Sequence, residues 1–155
     1  MAITNGYCTL NEVKASLRIP VSDTVDDDLL ELAIESASRD IDQATERQFF
    51  PTDTHRFYTP RDSLVCETDD IAALTSIRTS TGADGNYDET WTASDYQLEP
   101  LNGIAGGMSV PFDAIRAVGD YSFPMSGQEV TVRVEATFGF ATAPTAIRQA
   151  AVLLS

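Results

Sequence analysis

Val130-Thr131-Val132-Arg133-Val134-Glu135-Ala136-Thr137-Phe138-Gly139-Phe140 is the stretch that decides how this chain is organised. Val130, Val132, Val134, Ala136 and Phe138 alternate with Thr131, Arg133, Glu135 and Thr137. That period of two belongs to a strand with one buried and one wetter face. Gly139 interrupts its aromatic end, Pro144 supplies a helix start, and Ile147, Ala150, Ala151 and Leu154 open a final helix. An apolar stripe that reaches Leu153-Leu154-Ser155 without a C-cap or polar tail predicts that this helix continues in the natural protein.

Upstream of this strand, as far back as His55, short β-rich runs are separated by Gly, Asn, Asp, Ser and Pro, the texture of an antiparallel sheet. The predicted strands are Arg56 to Thr59, Ser63 to Glu67, Ala73 to Thr79, Tyr96 to Glu99, Ala114 to Val118 and Val130 to Phe138. Asp69-Asp70 reads as a solvated turn between two of them, and Asn102-Gly103 as a hairpin dipeptide.

Before His55 the period changes to helical. Thr9-Leu10-Asn11-Glu12 fits a capping box, in which the threonine oxygen takes an orphan backbone N–H and the glutamate reaches back to the cap. Leu10, Val13 and Leu17 continue the helix until Pro20 stops it. A second helix follows, with Asp23 or Thr24 as its cap and Asp26, Asp27 and Asp28 placed where the helix dipole favours negative charge. Leu30, Ala33, Ile34, Ala37, Ile41 and Ala44 form its core stripe. Glu31, Glu35, Arg39, Asp42 and Glu46 turn mostly outward, with Glu35 and Arg39 at pairing distance. Phe49 and Phe50 are expected to fold back over the core.

The expected fold is therefore α+β, a small helical core of three helices with a large antiparallel β insertion between the second and the last. Residues 1–155 are read as one domain, with the helical core at 7–50 and 144–155 and the insertion at 55–140.

At 155 residues and 43% hydrophobic content the chain matches the size of one core. It has no apolar run long enough to span a bilayer, and Met1 to Tyr7 has no basic flank or apolar stretch of a signal peptide. A soluble protein made in the cytosol, without membrane association, is expected. Cys8 and Cys66 lack the spacing of a zinc or redox site and read as buried or half-buried thiols. Acidic residues outnumber basic ones 24 to 10, for a formal net charge of -14, and Lys14 is the single lysine. Proteins that grip nucleic acid gather Lys and Arg on one face, whereas these arginines are scattered. The balance argues against DNA binding and suits a non-adhesive wall beside DNA.

No catalytic constellation is legible. His55 has no serine or cysteine nucleophile in context, and Ser109 lacks the second glycine of a nucleophile elbow. Gly103, Gly106 and Gly107 match no phosphate loop. Asp84-Gly85-Asn86-Tyr87-Asp88 opens like a calcium loop, but Glu89 stands where the turn glycine belongs and Asp95 replaces the closing glutamate, so a polar hairpin tip is the plainer reading. Trp91, Tyr96 and Tyr87 could form an aromatic platform, though in a sheet such residues are more often core or cross-strand pairs. No metal and no cofactor are expected.

Several blocks in order resemble the head-tail connector (neck adaptor) family of tailed bacteriophages. They are Tyr7 to Lys14 with Leu17; Asp27-Asp28-Leu29-Leu30 through Ala37, Ile41 and Asp42 to Thr45-Glu46-Arg47-Gln48-Phe49; Asp95 to Pro100; and Phe138-Gly139-Phe140 followed by Pro144, Ile147 and Ala150-Ala151. Related sequences often have glycine at the position of Glu46. The resemblance implies a structural virion protein of the neck and no enzyme. It implies a homo-oligomeric ring, usually a dodecamer, that docks on the portal protein, continues the DNA channel without binding the genome specifically, and offers a platform to a downstream neck or tail protein. Pro144, Ile147, Arg148, Ala151 and Leu154 become the expected portal or neighbour contacts. Asp26, Asp27, Asp28, Glu31 and Glu35 become an acidic lumen or solvated face. The competing reading is a ligand- or calcium-binding β module on a helical stalk.

Overall fold

A computed structural model describes residues 3–81, 85–125 and 130–155. Among them the fold is α+β, with three helices and an antiparallel sheet inserted between the second and the third. The chain divides into two compact units, one of residues 1–50 and 142–155 and the other of residues 51–141.

In the first unit, α1 (Leu10–Leu17) carries the expected capping box, with Thr9 accepting from the Glu12 N–H and Glu12 reaching back to Thr9. α2 (Asp27–Thr45) begins later than expected: Asp26 is its N-cap and makes no side-chain capping bond, while Asp23 accepts from the Val25 N–H in the preceding turn. The buried stripe of α2 is Ile34, Ala37, Ser38 and Ile41; Ala44 is exposed in the last turn. Glu46 ends the helix at φ 54°, the left-handed conformation that costs an L side chain roughly 1 kcal/mol and explains why glycine suits this position. α3 (Thr145–Leu154) starts after Pro144 and packs on α2 and α1 through the buried Ala151.

The second unit is built on a sheet of order β1-β8-β2-β7-β4, antiparallel throughout. Its strands are β1 (Thr52–Tyr58), β2 (Val65–Thr79), β3 (Glu89–Thr90), β4 (Tyr96–Glu99), β7 (Phe112–Ala117) and β8 (Val132–Phe138). β3 pairs with the end of β2, and β5 (Ile104–Ala105) with β6 (Met108–Ser109) forms a separate hairpin. The turn of that hairpin is Gly106-Gly107, both at positive φ as a type I′ turn requires. Asn102-Gly103 instead closes a short 3-10 turn before it.

Two expected strands, Ser63 to Glu67 and Ala73 to Thr79, are one. β2 pairs with β7 over its first half and with β8 over its second, and shifts register between Glu67 and Ile71. The pair Asp69-Asp70 lies inside it rather than in a turn. Asp69 is met by the Arg56 guanidinium at 2.8 Å and the Tyr58 hydroxyl at 2.8 Å, and the Asp70 carbonyl accepts the Gly139 N–H at 2.7 Å. Those partners offset the poor strand propensity of two aspartates.

Alternation in β8 holds from Val132 onward, with Val132, Val134, Ala136 and Phe138 all buried. It fails at the first two residues. Val130 is exposed and Thr131 fully buried, because Thr131 lies outside the strand and its hydroxyl donates to the Pro124 carbonyl at 2.8 Å. The β8 side chains meet Cys66, Ile71, Ile77, Ile115, Phe123 and Trp91 in one core. Trp91 stacks on Phe123 at 4.6 Å and donates its indole N–H to Thr79 at 3.0 Å, so it is a core residue and no ligand platform.

Burial pushes the Cys66 thiol from an ordinary 9 to about 12. The fold keeps the thiol protonated while an unfolded chain gives up the proton from about pH 9, so stability falls as pH rises between those values. Under reducing conditions, urea unfolding of the wild type is expected to lose up to roughly 1.4 kcal/mol per pH unit from this group above pH 9. Cys66→Ala should be less stable at pH 8 but show a flatter profile between pH 9 and 10; parallel profiles would contradict the burial.

Candidate functional site

α1 brings Lys14 into the interior of the helical unit, where it is 1% exposed. Its ammonium donates to the Asp23 carbonyl at 2.6 Å and pairs with the Asp27 carboxylate. Asp27, its side chain 25% exposed, is thus engaged with a buried cation within the unit. A charge taken out of water needs this arrangement, an opposite charge and a further acceptor.

The segment before α1 lies along α2 and uses side chains that the periodicity had turned outward. Glu35 accepts the N–H groups of Thr4 and Asn5, and Arg39 donates to the Asn5 carbonyl at 2.9 Å. Ser38 accepts the Tyr7 N–H at 3.0 Å while donating to the Ile34 carbonyl at 2.7 Å. The Tyr7 hydroxyl donates to Asp42 and accepts the Phe49 N–H at 2.9 Å. Burial first, and Asp42 second, raise the Tyr7 hydroxyl above its ordinary value, which keeps it a donor. Arg39 pairs with Asp42 and lies over the Tyr7 and Phe50 rings at 5.5 and 4.6 Å. Gly6 allows the close approach: a Cβ there would fall 2.7 Å from a methyl of Ile34.

The five acidic positions thus divide. Asp26 and Asp28 are exposed and Glu31 is half-buried, whereas Asp27 and Glu35 are engaged inside the unit. The five positions expected on α3 divide as well. Ala151 is buried, Ile147 and Pro144 are half-buried, and Arg148 pairs with Glu12 of α1. Leu154 is 63% exposed, and Leu153, not singled out before, is 84% exposed. Glu12, Thr145, Arg148, Gln149, Val152 and Leu153 line a shallow groove. The Thr9 backbone N–H holds the Glu12 carboxyl below its ordinary value, with Arg148 assisting. Cys8 is buried, its thiol raised by that burial and close to the Ser155 hydroxyl at 3.9 Å.

His55 stands within edge strand β1, opposite Glu135 and edge-on to Phe57 at 5.3 Å. Part of the calcium-like stretch, Asp84, lies outside the described residues. Asp95 spends its oxygens on Thr92 and Ser94, in bonds of 2.6 to 3.0 Å that lower its carboxyl and close the turn into β4. Among the described residues no group of three or more His, Cys, Asp or Glu is placed to hold a metal ion, and no helix is long and apolar enough to cross a membrane.

The helical unit thus presents a shallow groove of mixed lining and two exposed leucines at the end of α3. The family model of phage gp6-like head-tail connector proteins matches residues 7–95, and the chain belongs to that family. Its role is that of a structural head-tail connector component. A chain of a solved structure described as the neck of an empty GTA particle computed with C6 symmetry has the same fold, with a TM-score of 0.64 at 18% identity. The likeness covers 99% of this chain and 78% of that one. No curated protein matches the sequence.

Proposed function

We propose that copies of this chain close into a ring, expected to be a dodecamer, at the virion neck beneath the portal. The ring continues the DNA channel and presents a platform to the next neck or tail protein. The connector-family match over residues 7–95, which takes in α1 and α2 whole, carries this reading. The six-fold description of the GTA neck supports a ring, since that symmetry accommodates twelve copies.

Charge and surface agree with such a role. A net charge of -14 repels DNA phosphates, which lets a genome pass without adhering. Exposed Leu153 and Leu154, with Pro144, Ile147 and Arg148 on the same helix, form the proposed portal contact, while Ala151 acts by seating α3 in its unit. Like-charged copies gain little from unassisted association, so the isolated chain is expected to sediment as a monomer at micromolar concentration and to form rings on its portal. Electron microscopy of the particle neck, or of the chain mixed with its portal, tests this directly. A neck without the chain would sink the proposal, and a stable ring formed without portal would overturn the dependence on it.

A further inference from the structure

The outward face of the sheet contains one row unlike the rest of this acidic surface. Register places Phe57 of β1 opposite Arg133 of β8, Arg133 opposite Arg78 of β2, and Arg78 opposite Thr90 of β3. Val132, Val134, Ile77 and Thr79, which flank the arginines along their strands, are all buried, so the row points away from the core. Like charges directly opposite on a sheet repel, with Cβ atoms about 4.5–5.5 Å apart.

Among the described residues no ion pair offsets that repulsion. Lys14, Arg39, Arg56, Arg61, Arg116 and Arg148 each have a carboxylate partner. Arg78 and Arg133 make no ion pair among the described residues, and the Arg133 Nε is buried without a hydrogen-bond acceptor. Beside them Phe57 is 49% exposed and packs against Tyr87 at 5.4 Å. Two guanidinium groups without a carboxylate partner among the described residues, next to an exposed aromatic ring, make a surface suited to carboxylates with an apolar neighbour.

The chain itself carries such a partner surface. Ahead of α2, Asp23 and Asp26 are exposed and make no ion pair among the described residues, and exposed Val21, Val25 and Leu29 accompany them. We infer that the Phe57-Arg133-Arg78 row of one copy docks on the Asp23 to Asp26 segment of the next, guanidinium groups to carboxylates and Phe57 to Val25. The two surfaces differ, so the contact is heterologous and propagates from copy to copy, as ring closure requires. It also gives copies of net charge -14 a place where attraction replaces repulsion. The inference rests on the ring reading. A nucleic-acid backbone is the poorer occupant, because Glu135 and Asp53 flank the row on the same face.

Charge reversal in the full chain, followed by co-sedimentation with the portal, tests it. R78E/R133E and D23K/D26K should each reduce incorporation at least about tenfold, and the quadruple variant should recover to within about threefold of wild type. Melting curves confirm folding, and R78Q/R133Q with D23N/D26N replace any reversal variant that unfolds. Wild-type rings unaffected by the arginine variants would overturn the inference and leave the ring reading standing. Failure of the wild type to assemble at all would overturn both. Duplex DNA bound at low salt by wild type and released by R78E/R133E would make the row a phosphate site and overturn it as well.

Discussion

Phe138→Ala is expected to cost about 3–5 kcal/mol of unfolding free energy, the largest effect of any single truncation considered for this chain. Phe138 is 0% exposed and closes the end of β8, opposite Thr52 of β1 and Ile71 of β2. The Arg56 guanidinium lies 4.3 Å from its ring centre, a contact worth a further ~0.5–2 kcal/mol when partly desolvated. Removing the ring leaves a cavity between strands that other backbone contacts hold apart, so collapse is limited. Trp91, the single tryptophan, belongs to the same core and reports its loss by fluorescence during urea unfolding. A midpoint shift equivalent to less than about 1 kcal/mol would mean that the ring does not fill this core.

Lys14→Met is expected to destabilise the helical unit by about 3 kcal/mol. Breaking a buried pair from one side strands the other charge, here the Asp27 carboxylate, whose side chain retains 25% exposure and so keeps part of its hydration. The Asp23 carbonyl loses its ammonium donor as well. K14M/D27L replaces the pair with apolar groups and should recover most of the loss, since well-packed hydrophobes often match a buried ion pair. Helical circular dichroism is the appropriate readout, because Trp91 lies in the other unit. Additive losses in the double variant would show that the two residues do not act as a pair.

Local chemistry made some elements legible and left others hidden. The capping box at Thr9, the centre of the α2 stripe at Ile34, Ala37 and Ile41, the alternation of β8 from Val132 onward and the start at Pro144 each depend on residues within one turn or one strand, and these stand where the local pattern puts them. Asp69-Asp70 misled because a local pattern has no access to Arg56 and Tyr58, which reach it from another strand. The burial of Lys14 stayed hidden for the same reason: a lone lysine after Val13 carries no local mark of a carboxylate waiting thirteen positions on. Glu35, Arg39 and Asp42 looked like an outward face until the Thr4 to Tyr7 segment was seen to occupy it.

By itself, then, the sequence determined the α+β order of elements and the acidic surface, which follow from near neighbours or from composition, and its ordered blocks carried the resemblance to the connector family. Only the tertiary structure decided which charges are buried, which strands are one, and that Phe57, Arg133 and Arg78 share a row. Those facts depend on pairing between positions far apart in the chain. Such pairing is selected by the free energy of the whole fold, to which no local window has access.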